Sequence, residues 1–175
     1  MFSLYDALES IRQFVASGGP VLYGIGGLTF FMWTLVFERI WYFRFVLPAE
    51  ASVVVNAWEQ RAERVSWNAR QIRRALVSRA RERIEQNLPL IKVCVSLCPL
   101  LGLLGTVTGM IVVFHVMAVT GGGDARSMAG GVSRATIPTM AGMVAAISGV
   151  FANIYVARTA SREMRRLEDR LTTDH

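Results

Sequence analysis

The chain has 175 residues, of which 53% are hydrophobic and 18% charged, with a formal net charge of +6 and a mean hydropathy of +0.38. A soluble domain of this length buries its core without long uncharged stretches, yet charges vanish here from Gln13 to Phe37, from Val93 to Gly123 and from Ala135 to Ala157. The basic excess is not read as a nucleic-acid signature, because no aromatic–basic interleaving or binding motif accompanies it.

Each uncharged run exceeds the roughly 20 residues that a helix needs to cross about 30 Å of hydrocarbon. The expectation is an all-α membrane protein with three transmembrane helices and long cytoplasmic helical extensions. Residues 1–17 read as an external amphipathic segment, with Leu4, Leu8, Ile11 and Val15 at helical spacing. Asp6 and Glu9 deny this segment the positive n-region of a cleaved signal peptide, so the first span is expected to be a retained anchor. Ser17-Gly18-Gly19-Pro20 breaks the segment, and Pro20 suits the first turn of the next helix. The first span covers 19–43, with Glu38 and Arg39 just inside its end.

Residues 44–92 form a cytoplasmic helical segment. Trp58, Ala62, Val65, Ala69, Ile72 and Leu76 make an apolar stripe with arginines on the other faces. Cys94 and Cys98 come next, four residues apart, with no Cys or His cluster to complete a metal site, and are read as small packing residues. The second span covers 96–119 and the third 135–157. Between them 120–134 is an external loop, whose Gly121-Gly122-Gly123 run lacks the strand–helix setting and lysine of a phosphate cradle. Residues 158–175 form a cytoplasmic C-terminal helix, with Ala160, Met164, Leu167 and Leu171 on one stripe.

Charge placement sets the orientation. Of the 19 basic residues, only Arg12, Arg126 and Arg134 fall outside 39–92 and 158–170. The positive-inside rule then puts the N-terminus outside and the C-terminus inside, and the basic segments face anionic lipid of the bilayer.

Two spans carry more than lipid-facing side chains. The second holds Gly102, Gly105 and Gly109, and the third holds Gly142, Ala146 and Gly149. Small residues at these intervals let helix backbones approach closely, within a chain and between chains. Among them lie Thr106, Thr108 and His115 on the second span, and Arg134, Thr136, Thr139, Ser148 and Asn153 in or beside the third. A lone membrane threonine bonds its own backbone and means little, but threonines on two glycine-rich spans suggest a polar seam. Pro99 and Pro138 add freed carbonyls. No carboxylate lies within either span, although a protonatable carboxylate is the usual membrane proton carrier. His115 is the one neutral-range titratable side chain in a span, and packing is favoured over a relay role for it. No Ser-His-Asp set, paired carboxylates or cofactor motif appears, so neither enzymatic catalysis nor a cofactor is expected.

The stretch Pro99-Leu100-Leu101-Gly102-Leu103-Leu104-Gly105-Thr106-Val107-Thr108-Gly109-Met110 closely resembles the core motif of the ExbB/TolQ/MotA proton-channel family. Gly131 to Ile147, with Thr136-Ile137-Pro138-Thr139 at its centre, resembles the family's third-helix motif. The three-span plan resembles ExbB and TolQ rather than the four-span MotA branch, and the opening through Trp33–Arg39 is most similar to short ExbB proteins. The resemblance implies a pentameric homo-oligomeric ring in the bacterial inner membrane. It implies an ExbD-type partner whose membrane aspartate carries protons through the pore, and a TonB-type protein energised for outer-membrane uptake of iron chelates. It assigns Thr106 and Thr139 to the pore, with Thr108 and Thr136 beside them. The alternatives are a TolQ-type subunit of the Tol-Pal system and a non-conducting membrane scaffold. Arg134 departs from the family pattern, which often has glutamate there. It is expected either to snorkel to the outer surface or to pair with a carboxylate, on the partner or on Asp124.

Overall fold

The computed structural model describes residues 4–61, 63, 66–120 and 125–171. They form helices α1 (Leu4–Trp41), α2 (Leu47–Glu59), α3 (Trp67–Glu85), α4 (Leu88–Thr120) and α5 (Ala125–Arg170), with a π-helical turn at Tyr42–Val46. No strand occurs among the described residues. Three stretches are long and apolar enough to cross a membrane, within Gly18–Glu59, Trp67–Val119 and Ala129–Arg170. The chain is an all-α membrane protein.

Local chemistry explains the joints. Gly19 sits at φ 67° and ψ −168°, breaking α1 into two stretches, a conformation that only glycine adopts without steric cost. Pro20 opens the second stretch, where its missing N–H is not needed. The stripe of Leu4, Leu8, Ile11 and Val15 rests on side chains outside those described, and the backbone beneath it is helical.

Two boundaries differ from the sequence reading. The stripe from Trp58 to Leu76 lies on two helices, because α2 ends at Glu59 and α3 restarts at Trp67. Ser66 caps the new helix by accepting a hydrogen bond from the Ala69 N–H at 3.2 Å. Ala62 and Val65 lie outside the described residues. The segment 120–134, expected to be a loop, is helical from Ala125 onward. Packing outweighs the poor helix propensity of its glycines: a Cβ built on Gly131 would lie 2.6 Å from Val113 of α4. The loop's Gly121–Asp124 lies outside the described residues.

The contacts divide the chain into two compact units, residues 1–33 with 93–150 and residues 34–92 with 151–175. In the first, Ile25, Cys98, Ala145 and Ala146 form a cluster joined by Val21, Leu28 and Leu101. Cys94 and Cys98 are buried free thiols.

The second unit closes around Trp58, which is 1% exposed and packs with Val55, Ala69, Leu167 and Leu171. Ala160 and Met164 of the C-terminal stripe are buried too. Arg73 donates to the Leu171 carbonyl and, at 3.3 Å, to that of Glu168.

Arg39 is the one buried charged side chain among the described residues, 3% exposed. Its fork donates to both Glu38 oxygens, Nε to Oε2 at 2.6 Å and Nη2 to Oε1 at 2.7 Å, and Nη1 donates to the Arg83 carbonyl at 3.1 Å. The guanidinium also lies 5.0 Å from the Tyr42 ring centroid. Tyr42 donates to Glu50, and Arg83 donates to the other Glu50 oxygen, each at 2.9 Å. A buried charge persists only when paired and hydrogen-bonded in this way.

Trp58→Ala is expected to lose about 3–5 kcal/mol, the cost of emptying a large buried aromatic site. Denaturant titration of the detergent-solubilised chain, with Trp58→Phe as the milder control, measures this, and an unshifted midpoint for Trp58→Ala would refute it.

Candidate functional site

The uncharged runs of α4 and α5 meet along a line on which side chains are nearly absent. A Cβ built on Gly102 would lie 3.0 Å from the Thr139 Cα, and one on Gly109 would lie 2.8 Å from the Ala135 Cβ. A Cβ on Gly105 would collide with the Pro138 ring, and one on Gly142 would lie 2.5 Å from the Cys98 carbonyl oxygen. Gly149 makes room for Met32 of α1, whose Sδ would be 2.5 Å from an added Cβ. Ala146 is buried in the cluster with Ile25 and Cys98. Not every membrane glycine is used this way: Gly24, Gly26 and Gly27 of α1 face open space.

This antiparallel register brings one threonine across the seam. Thr139 Oγ1 donates to the Gly102 carbonyl of α4 at 2.9 Å. The other three threonines keep their protons at home: Thr106 donates to the Leu103 carbonyl at 2.7 Å, Thr108 to Leu104 at 2.9 Å, and Thr136 to Ser133 at 2.8 Å. Thr106 and Thr139 are half-buried, while Thr108 and Thr136 are exposed. Every one of these hydroxyls has its proton committed to a carbonyl and retains oxygen lone pairs as acceptors. The seam thus offers acceptors to whatever lies against it.

The neighbours of Arg134 fix its register against α4. It follows Gly131, which packs on Val113, and precedes Ala135, which packs on Gly109. Beyond Gly109, α4 runs a further eleven uncharged residues to Thr120, about 16 Å at 1.5 Å per residue. Ile111, Val112, Phe114, Val116 and Val119 are all exposed there. Arg134 is therefore beside the middle of α4's uncharged run and immediately before α5's own uncharged run from Ala135 to Ala157, with its side chain exposed. The residue lies within α5 rather than in a loop. Ala125, where α5 begins, is nine helical residues away, about 14 Å along the axis. Asp124, the alternative partner, lies outside the described residues.

His115 is exposed on α4, beyond Gly109. No group of three or more His, Cys, Asp or Glu placed to hold a metal ion occurs among the described residues. In the second unit a cavity of about 600 Å³ is lined by Tyr42, Glu50, Leu76, Arg79 and Arg83 among others.

Sequence comparison places this arrangement among known proteins. The MotA/TolQ/ExbB proton channel family matches residues 49–169. The chain is 28% identical over 179 residues to a "Putative biopolymer transport protein ExbB-like 1" of Synechocystis sp., a match spanning 84% of this chain and 70% of that protein. It is 41% identical over 69 residues to the "Biopolymer transport protein ExbB" of Helicobacter pylori, covering 39% of this chain and 48% of the relative. It is also 36% identical over 87 residues to the "Tol-Pal system protein TolQ" of Pseudomonas aeruginosa, covering 49% of this chain and 38% of the relative. No solved structure matches. The matched region takes in α4, α5 and the glycine–threonine seam between them, and on that ground the chain belongs to the MotA/TolQ/ExbB proton channel family.

Proposed function

We propose that this chain is the ring-forming, ExbB-type subunit of a proton-driven motor in the bacterial inner membrane. A membrane helix of an ExbD-type partner threads the centre of a homo-oligomer, expected to be a pentamer. Proton flow energises a TonB-type protein for outer-membrane uptake. The observation that carries this reading is the seam, where two closely packed helices present threonine oxygens yet have no carboxylate in their uncharged runs. The titrating group then has to come from another chain. A protonated carboxyl is a hydrogen-bond donor, and hydroxyls whose own protons are committed elsewhere are suited to accept it. Thr106 and Thr139 orient such a carrier, with Thr108 and Thr136 along the same helices. The names of two relatives, ExbB-like and ExbB, support an ExbB-type subunit. The TolQ relative keeps a Tol-Pal role as the second reading. The N-terminus is periplasmic and the C-terminus cytoplasmic, on the strength of the arginine asymmetry.

Co-reconstitution with candidate partner proteins tests the central claim. Proton flux through vesicles should be negligible with this chain alone and appear only with a carboxylate-bearing partner. Robust flux without any partner, abolished by His115→Ala, would move the carrier into this chain.

Thr106→Val and Thr139→Val should impair flux and uptake while the oligomer survives, since Thr106 bonds only its own helix and the interhelical bond of Thr139 is of a kind worth about 0.6 kcal/mol on average in a membrane. Wild-type flux in both variants would remove the threonines from the pathway.

Gly105→Leu should weaken helix packing by about 1–3 kcal/mol or more and reduce the oligomer seen by mass measurement in mild detergent. Gly27→Leu, at an open position, is the control. A monomeric native chain under those conditions would refute the ring.

For topology, a cysteine placed at Gly122 should label from outside the cell and one at Arg74 should not; the reverse pattern overturns the orientation.

A further inference from the structure

We infer that residues 42–48 are a hinge between the end of α1 and the start of α2, and that Glu50 is the latch that holds it. The inference goes beyond the motor reading and does not depend on it.

The hinge begins with the sequence. Pro48 has no N–H to give the Arg44 carbonyl, and in a regular α-helix its ring would clash with that carbonyl. The chain widens just before it. Tyr42–Val46 is a π-helical turn, closed by the Leu47 N–H on the Tyr42 carbonyl, and a single turn of this kind carries one residue more than the α period. Burial shows what the extra residue does. Arg39, Phe43, Leu47 and Val55 are buried, each a multiple of four residues from the last. A straight α-helix would rotate this row by about 160° between its ends, and one added residue takes back about 100° of it. The turn keeps one face inward but leaves the backbone ladder weak across 42–48.

Side chains supply the stiffness that the ladder lacks. Tyr42, the first residue of the turn, donates to Glu50 Oε2, and Arg83 of α3 donates to Oε1, each at 2.9 Å. One carboxylate thus ties the near side of the joint, the far side and α3 together. Farther along, α2 is pinned by Val55 and Trp58 in the apolar cluster. Before that pivot, Glu50, Ala51 and Val54 line the cavity of about 600 Å³ with Leu76, Ala80 and Arg83, which gives the first turns of α2 room to swing toward α3. The latch can open, because the Arg83 and Glu50 side chains are 65% and 36% exposed, and an ion pair that water reaches is weak. Latched, the last turns of α1 and the start of α2 move as one piece; opened, α2 bends at the joint.

The test uses the full-length chain in lipid nanodiscs, spin-labelled through Ala49→Cys and Ser78→Cys, both at exposed positions. Distances are read by pulsed electron resonance, with labelled chain diluted in unlabelled chain so that only distances within one copy count. The chain lacking both introduced cysteines is the labelling control, since Cys94 and Cys98 are buried. With Glu50 in place one narrow distance should dominate, and a second, shorter one should hold at most a few per cent of molecules. Glu50→Ala should raise that minor share about fivefold, and Glu50→Gln, which keeps one oxygen acceptor, should raise it less. Ser52→Ala, which loses only a bond to the Ala49 carbonyl, should leave it unchanged. Pro48→Ala returns the missing N–H, so adding it to Glu50→Ala should reverse most of the rise, which a general loss of stability would not allow. An unchanged distribution in Glu50→Ala would overturn the inference. So would an equal rise in Ser52→Ala, or a minor share as large with Pro48→Ala added as without it.

Discussion

Lipid tails are as apolar as leucine, so two helices in a bilayer gain little from hiding apolar surface from each other. Their association depends on how closely the backbones approach. In this chain that approach is made possible by missing side chains at Gly102, Gly105, Gly109 and Gly142. The contact between α4 and α5 leaves no room for a methyl group at these positions, and the register is fixed as a result. Everything else in the seam inherits that register. It brings the Thr139 hydroxyl to the Gly102 carbonyl, and it sets Ala135 against Gly109 near the middle of α4's uncharged run. A protein built on contacts this close tolerates polar groups in the membrane because their hydrogen-bond partners are delivered at fixed positions.

Much of this was legible in the sequence, and the reason is the length of the uncharged runs. Three stretches without charge in 175 residues leave few alternatives to three spans, and the structure has three helices of the required length and hydropathy. The stripe of Ala160, Met164, Leu167 and Leu171 was legible as well, because helical periodicity is local, and all four are buried. The features that stayed hidden depend on pairing between distant segments. The break between Glu59 and Trp67 is hidden because Trp58 and Ala69 share a helical phase, yet they meet by folding back rather than by continuing. Ala125 to Arg134 looks like a loop when read alone, with two glycines and two arginines, and becomes helix because α4 extends far enough to pack against it. The threonines show a subtler limit. Their spacing suggested a shared polar seam, but spacing does not say where a hydroxyl points its proton. Of the four, only Thr139 crosses to the other helix.

The second unit solves a different problem, that of keeping a charge buried at the foot of a span. Arg39 is matched by Glu38 on its own helix and by the Arg83 carbonyl in the last turn of α3. The carbonyl end of a helix carries partial negative charge, which suits a cation. Asn87 holds the turn into α4 at φ 64°, and its side-chain amide donates to Glu38 at 3.4 Å. Asparagine tolerates that left-handed conformation better than most residues.

Arg39 and Arg83 are separated by 44 positions in the chain, and this imposes an order on events at the ribosome. At about 5–20 residues per second, synthesis reaches Arg83 roughly two to nine seconds after Arg39. During that interval the guanidinium has its glutamate but not its helix end, and water must serve in place of the missing carbonyl. The foot of the first span is thus held at the wet edge of the membrane while the next segment is made. Its burial becomes a late step of biogenesis, completed when α3 closes over it.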